Sequence, residues 1–117
     1  SNRIAQRENI RQSRLRLDQA KTNRISLERN LDQEILSAHR GVLTTEARLT
    51  VLTKQVEQAR RNLELINGSF EVGFASITEV RLAQDDIFDA ETAFKNAVLG
   101  YQINIAQLYV AMGLPLR

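Results

Sequence analysis

Four short constellations carry groups that could do chemistry: the single histidine His39, the carboxylate pair Asp85-Asp86, the sequon Asn67-Gly68-Ser69, and the run Ser76-Ile77-Thr78-Glu79. His39 has no cysteine or second histidine to join it in a metal or catalytic site. Neighbouring residues on a helix point about 100° apart, so Asp85 and Asp86 do not form a dyad. The sequon falls inside a helical pattern, where glycosylation is not expected. Nor does the chain contain a phosphate-binding glycine loop or a nucleophile beside a base. The expectation is of no catalytic, metal-binding or cofactor-binding residues, and of no enzyme. The last run has a different use. In a capping box a serine hydroxyl accepts the backbone N–H three residues on, and the glutamate there returns to the serine N–H. Ser76 and Glu79 stand at that spacing, so a helix is expected to begin at this point.

The surrounding composition is that of long helices. In 117 residues there are one proline, five glycines, no cysteine and no tryptophan; aromatics make up 5% and charged residues 26%. Few turn residues and few bulky core residues favour an extended helical object over a compact globule. The absence of cysteine excludes disulfides and thiolate metal sites and fits any compartment. No apolar run approaches the roughly 18 residues that would suggest a membrane-spanning helix, and no signal peptide is visible. The chain begins already in helical rhythm and reads as a piece of a longer protein, with Ser1-Asn2 a cloning remnant.

From Leu49 the apolar residues step by three and four through Leu52, Val56, Ala59, Leu63, Ile66 and Phe70, a coiled-coil seam. Backward the frame continues through Thr45, Val42, Ala38, Ile35 and Leu31, then decays at Glu28 and Arg24. A second strip, Ile25, Leu36, Leu43, Ala47 and Val51, lies beside it. Beyond the break the stepping resumes at Val80, Ala83, Ile87, Ala90, Phe94, Ala97, Tyr101, Asn104, Leu108 and Ala111. Phe88, Val98, Ile105, Tyr109 and Met112 form its second set. Gly113 followed by Pro115 marks the end of that helix.

Laid antiparallel about Ala75, the seams pair residues whose numbers total 149 or 150. Phe70 then meets Val80, Ile66 meets Ala83, Leu63 meets Ile87, Leu52 meets Ala97 and Leu49 meets Tyr101. Large side chains often face small ones. Thr45, the polar seam residue of this part of the first helix, falls opposite Asn104, the amide of the second. Such a polar seam pair fixes register at some cost in stability. Gly73 can take the left-handed conformation that closes a helix. A turn at Asn67-Gly68 is the rival, but it would break the seam between Leu63 and Phe70.

The expected fold class is therefore all-α: a long antiparallel coiled-coil helical hairpin with unequal arms. Its parts are an unpaired helical overhang over residues 1–37, paired segments over residues 38–72 and 76–112, and a tip turn over residues 73–75. At 1.5 Å per residue the overhang would be roughly 55 Å of helix. Its Ile4, Ile10, Leu15, Leu17, Ile25, Leu27 and Leu31 would need another chain or another part of the parent protein to pack against. Gly41 inside the first helix costs about 1 kcal/mol relative to alanine. It either permits a close approach or a bend, or is simply tolerated.

The net charge of +2 is unevenly spread. Eight basic against three acidic residues give residues 1–30 a net +5, and one basic against six acidic give residues 71–91 a net −5. A basic start raises nucleic acid or anionic lipid as partners. With no aromatic residue interleaved and the charges spread around the helix, a solvated face is the better account.

The stretch SFEVGFASITEVRLAQDDIFDAETAFKNAVLGYQINIAQLYVAMGLP supplies, in order, Phe70, Gly73, Ser76, Glu79-Val80, Ala83-Gln84, Ala90, Ala97, Tyr101, Leu108 and Gly113. In these residues the chain resembles the outer-membrane efflux proteins of the TolC family, closely over residues 63–115 and more loosely over the whole chain. The resemblance implies the periplasmic hairpin of a second structural repeat. The parent would be a trimer whose outer-membrane β-barrel continues into a helical tunnel, in a Gram-negative bacterium. It further implies that the tip, Val72, Gly73, Phe74, Ala75 and Ser76, docks a periplasmic adaptor and, through it, an inner-membrane transporter. The duct would be gated for export of small molecules or proteins. Phe74 is either a docking residue or a packed turn residue. Glu79 would lie near the pore constriction with Asp85 and Asp86, although capping alone accounts for Glu79 and a wet helix face accounts for the aspartates, including Asp89. Some members have an arginine where this chain has Ala75 and an aspartate where it has Leu82, so their salt-bridge lock and acidic ring are not carried over.

The alternative is a coiled-coil interaction arm of an adaptor or cytoplasmic protein with no channel role. An adaptor hairpin would be expected between lipoyl-like β segments, with its own basic-Leu-Ser/Thr tip pattern, and neither is seen. A basic nucleic-acid-binding arm is a third reading, and it predicts strongly salt-dependent binding.

Overall fold

A computed structural model describes residues 2–116. It contains two α-helices, α1 (Asn2–Glu71, 70 residues) and α2 (Ile77–Ala111, 35 residues), and no strand among the described residues. Ser1, half of the suspected cloning remnant, lies outside them. No described helix is long and apolar enough to cross a membrane. The chain divides into two units, Ser1–Ser37 and Ala38–Arg117.

In the first unit the helix has little but itself to hold it. Ile4, Ile10, Leu15, Leu17, Ile25, Leu27 and Leu31 are all exposed. Its side-chain contacts are local: Arg11 donates to Glu8 through both Nε (3.1 Å) and Nη2 (2.6 Å), Gln19 donates to Asn23, and Arg24 pairs with Glu28. The Arg11 guanidinium holds the Glu8 carboxyl below the ordinary carboxylate range. Pairs three and four residues apart support a helix only weakly, and water and salt screen them.

The second unit is the antiparallel hairpin. Its most buried side chains are Val42, Leu52 and Val56 from α1 and Val80, Ala83 and Ala97 from α2. These are seam positions of both heptad series. Ala38, Thr45, Leu49, Ala59, Leu63 and Ile66 on α1 are half-buried, as are Ile87, Ala90, Phe94, Tyr101, Asn104, Leu108 and Ala111 on α2. Three polar contacts cross between the helices. Arg60 Nη2 lies 3.0 Å from Glu91 Oε1, Tyr101 Oη donates to Glu46 Oε1 at 3.2 Å, and Asn104 Nδ2 donates to the Gly41 carbonyl at 3.2 Å. Thr45 and Asn104 meet, with 3.5 Å between Oγ1 and Nδ2. The polar seam pair expected from the register is formed.

One expectation needs correction. Phe70 is not a packed seam residue: it is 44% exposed, and Ser69 is half-buried instead. Phe70 lies in the last turn of α1, where α2 has only its first residues to set against it. The second apolar set lies beside the shared seam: Val98 and Ile105 are half-buried, and Phe88 is 70% exposed. The Asn67-Gly68 turn does not form, both residues being helical within α1.

Candidate functional site

The reversal between the helices is Val72–Ser76, and it is built from two capping devices back to back. α1 closes with a Schellman motif. Gly73 N–H donates to the Phe70 carbonyl (3.1 Å) and Phe74 N–H to the Ser69 carbonyl (2.8 Å), with Gly73 at φ 82°. These two bonds satisfy carbonyls that a helix end otherwise leaves unpaired. A Cβ on Gly73 would meet nothing within 4 Å. Glycine is therefore needed here for its left-handed backbone and not for space.

α2 opens with the capping box. Glu79 N–H donates to Ser76 Oγ (3.2 Å), and Ser76 N–H donates to Glu79 Oε2 (2.6 Å). Ser76 is extended, at φ −86° and ψ 162°, as an N-cap should be. Glu79 is the acidic residue of the first turn, where the helix dipole favours negative charge.

With the backbone groups satisfied, the tip presents side chains to water. Phe74 is 87% exposed and Val72 67% exposed, with Ile77 beside them at 48%. Ala75 is half-buried and Ser76 exposed. The other Schellman motif in the chain offers a comparison. At the end of α2, Gly113 (φ 71°) donates to Val110 and Leu114 to Tyr109. The residue after the glycine in such a motif commonly makes an apolar contact back to its helix. Leu114 has an apolar residue, Tyr109, at the helix position it bonds, and is 45% exposed. Phe74 has Ser69 there and is left in water.

Asp85 and Asp86 are exposed on α2, beyond the first turns, with no ion pair to either among the described residues. Glu79 differs, since its carboxylate is held at the cap. His39 is exposed on α1, and the described residues contain no group of three or more His, Cys, Asp or Glu that could hold a metal.

Two features were not identified from the residues alone. One is the Tyr101–Glu46 hydrogen bond. Partial desolvation and the adjacent Glu46 carboxylate push the Tyr101 phenol above its ordinary value. The register that sets Leu49 against Tyr101 puts Glu46 one turn away, so the signal was present. The other is a shallow groove of about 440 Å³ whose lining includes Thr53, Val56, Arg60, Glu91, Phe94 and Lys95. Its apolar floor and mixed charged rim depend on side-chain directions that spacing does not give.

A family model described as outer membrane efflux protein matches residues 2–114, nearly the whole chain. The chain belongs to the outer membrane efflux protein family. No curated protein and no solved structure matches it. For an outer membrane efflux protein the work is transport, and the all-helical hairpin is the part of it seen here.

Proposed function

We propose that this chain is the periplasmic tunnel-forming hairpin of a trimeric outer-membrane efflux duct, and that its tip docks a periplasmic adaptor. Residues 38–72 and 76–112 act as the paired coiled coil, and residues 73–75 turn the tip. Residues 1–37 form an arm that packs against other segments of the parent assembly. The adaptor connects the duct to an inner-membrane transporter, and the hairpin itself carries out no catalysis. The observation that carries this reading is Phe74, 87% exposed on a turn whose backbone is held by a Schellman motif and a capping box. A large apolar side chain kept in water on a rigid support suits a contact made with another protein. Val72, Gly73, Ala75 and Ser76 complete the docking tip.

Glu79, Asp85 and Asp86 contribute acidic character at the constriction. Glu79 is already occupied at the N-cap, so Asp85 and Asp86 carry more of this role. Transport selects export cargo, small molecules or proteins, at the level of the whole assembly.

The test uses the parent protein in a Gram-negative host with its adaptor and transporter. A photo-crosslinker at position 74 should capture the adaptor. Phe74→Asp should raise sensitivity to exported compounds several-fold while trimer level in the outer membrane is unchanged. Full export by that variant would reject the docking role of the tip.

A further inference from the structure

The half-buried contact between Gly41, Thr45 and Asn104 lies far from the turn. Asn104 is 28 residues beyond Ser76 in α2, about 42 Å along the helix. Its Nδ2 donates to the Gly41 carbonyl at 3.2 Å and approaches Thr45 Oγ1 at 3.5 Å. Thr45 Oγ1 is itself within 3.0 Å of the carbonyls of Gly41 and Val42. One amide on α2 thus engages a main-chain and a side-chain oxygen of α1 within a single helical turn. Moving either helix by one turn would leave these groups facing apolar neighbours.

The seam between this contact and the tip is mostly apolar. Ala59, Ala83, Ala90 and Ala97 alternate there with larger apolar side chains such as Leu52, Leu63, Ile87 and Phe94. Among the described residues, its other cross-helix polar contacts are Arg60–Glu91 and Tyr101–Glu46. Arg60 and Glu91 are long, partly exposed side chains that can follow a displacement. A seam of this kind specifies helix contact more strongly than axial position, and a buried polar group is the known remedy.

We propose that Asn104 is a register pin: with Gly41 and Thr45 it holds the base of the hairpin in axial alignment independently of the tip turn. Movement of the tip then reaches the base as splaying or rotation of the helices, and sliding is blocked. This role stands apart from the docking assignment, because it concerns contacts within the hairpin.

The experiment loosens the tip and asks whether the base slips. Spin labels go at the exposed positions 47 and 102 of the full-length chain, with Gly73→Val and Ser76→Ala disabling both caps. With Asn104 intact, the label distance should remain single and narrow. Adding Asn104→Leu should produce a second population displaced by about one helical turn, roughly 5 Å. Circular dichroism checks that the helices persist. If the leucine variant does not fold, Asn104→Ser, too short to span the gap to Gly41, carries the same expectation. A single unchanged distance in the loosened, pin-less chain would overturn the proposal, as would slippage while Asn104 is still in place.

Discussion

Gly73 and Gly113 adopt nearly the same positive φ for the same reason: each ends a helix by turning left-handed so that two N–H groups fold back onto carbonyls of the last turn. A side chain at that φ is strained whatever room surrounds it. Gly73→Ala should therefore lower hairpin stability by about 1 kcal/mol, measured by thermal or denaturant unfolding. The open space around its Cβ means steric clash adds nothing. Ser76→Ala removes one bond of the capping box and should cost about 1 kcal/mol. Tyr101 provides a test at the same scale through pH. Its phenol titrates above the ordinary value, first from desolvation and then from Glu46. A raised value means the neutral form is favoured in the folded chain. Its stabilising contribution is thus complete below the unfolded tyrosine value and is lost as pH rises through the folded one. In a Tyr109→Phe background, ultraviolet titration should find Tyr101 ionising above about pH 10, and Glu46→Gln should bring it downward.

The two helices differ in what holds them. α2 has a capping box, an acidic first turn and a continuous seam; α1 has neither an acidic first turn nor a basic last turn. Its support comes from packing over the residues that face α2. Leu52, 6% exposed and opposite Ala97, is central to that packing. Leu52→Ala should destabilise the hairpin by about 2–3 kcal/mol, near the lower end for core leucines because a two-helix seam can close partly around the gap. Gly41 behaves differently. A Cβ there would sit 3.8 Å from the Asn104 side chain, an ordinary contact. Gly41 is thus tolerated and not required for close approach. Gly41→Ala should stabilise the hairpin by up to about 1 kcal/mol through helix propensity, measurable as a higher unfolding midpoint.

At the level of the whole molecule, stability is unequal along the chain. Every residue from Asn2 to Glu34 other than the half-buried Glu8 is exposed, whereas Val42, Leu52 and Val56 are nearly closed off from water. Local opening is cheapest where few apolar contacts must be broken. In hydrogen exchange, amides of residues 6–34 should exchange markedly faster than those of residues 42–63; equal protection would mean the exposed apolar residues are already covered by a second chain. The seams, both stop signals, the capping box and the Thr45–Asn104 pair were legible in the sequence, because each depends on spacing along a helix or on one residue's backbone preference. The exposure of Phe70 and the degree to which Phe74 stands in water were not. A heptad pattern tells which residues are apolar and on which side they recur. How far each is covered depends on where the turn departs from the helical frame and on how many neighbours a two-helix unit provides, and those are settled only when the helices are placed together.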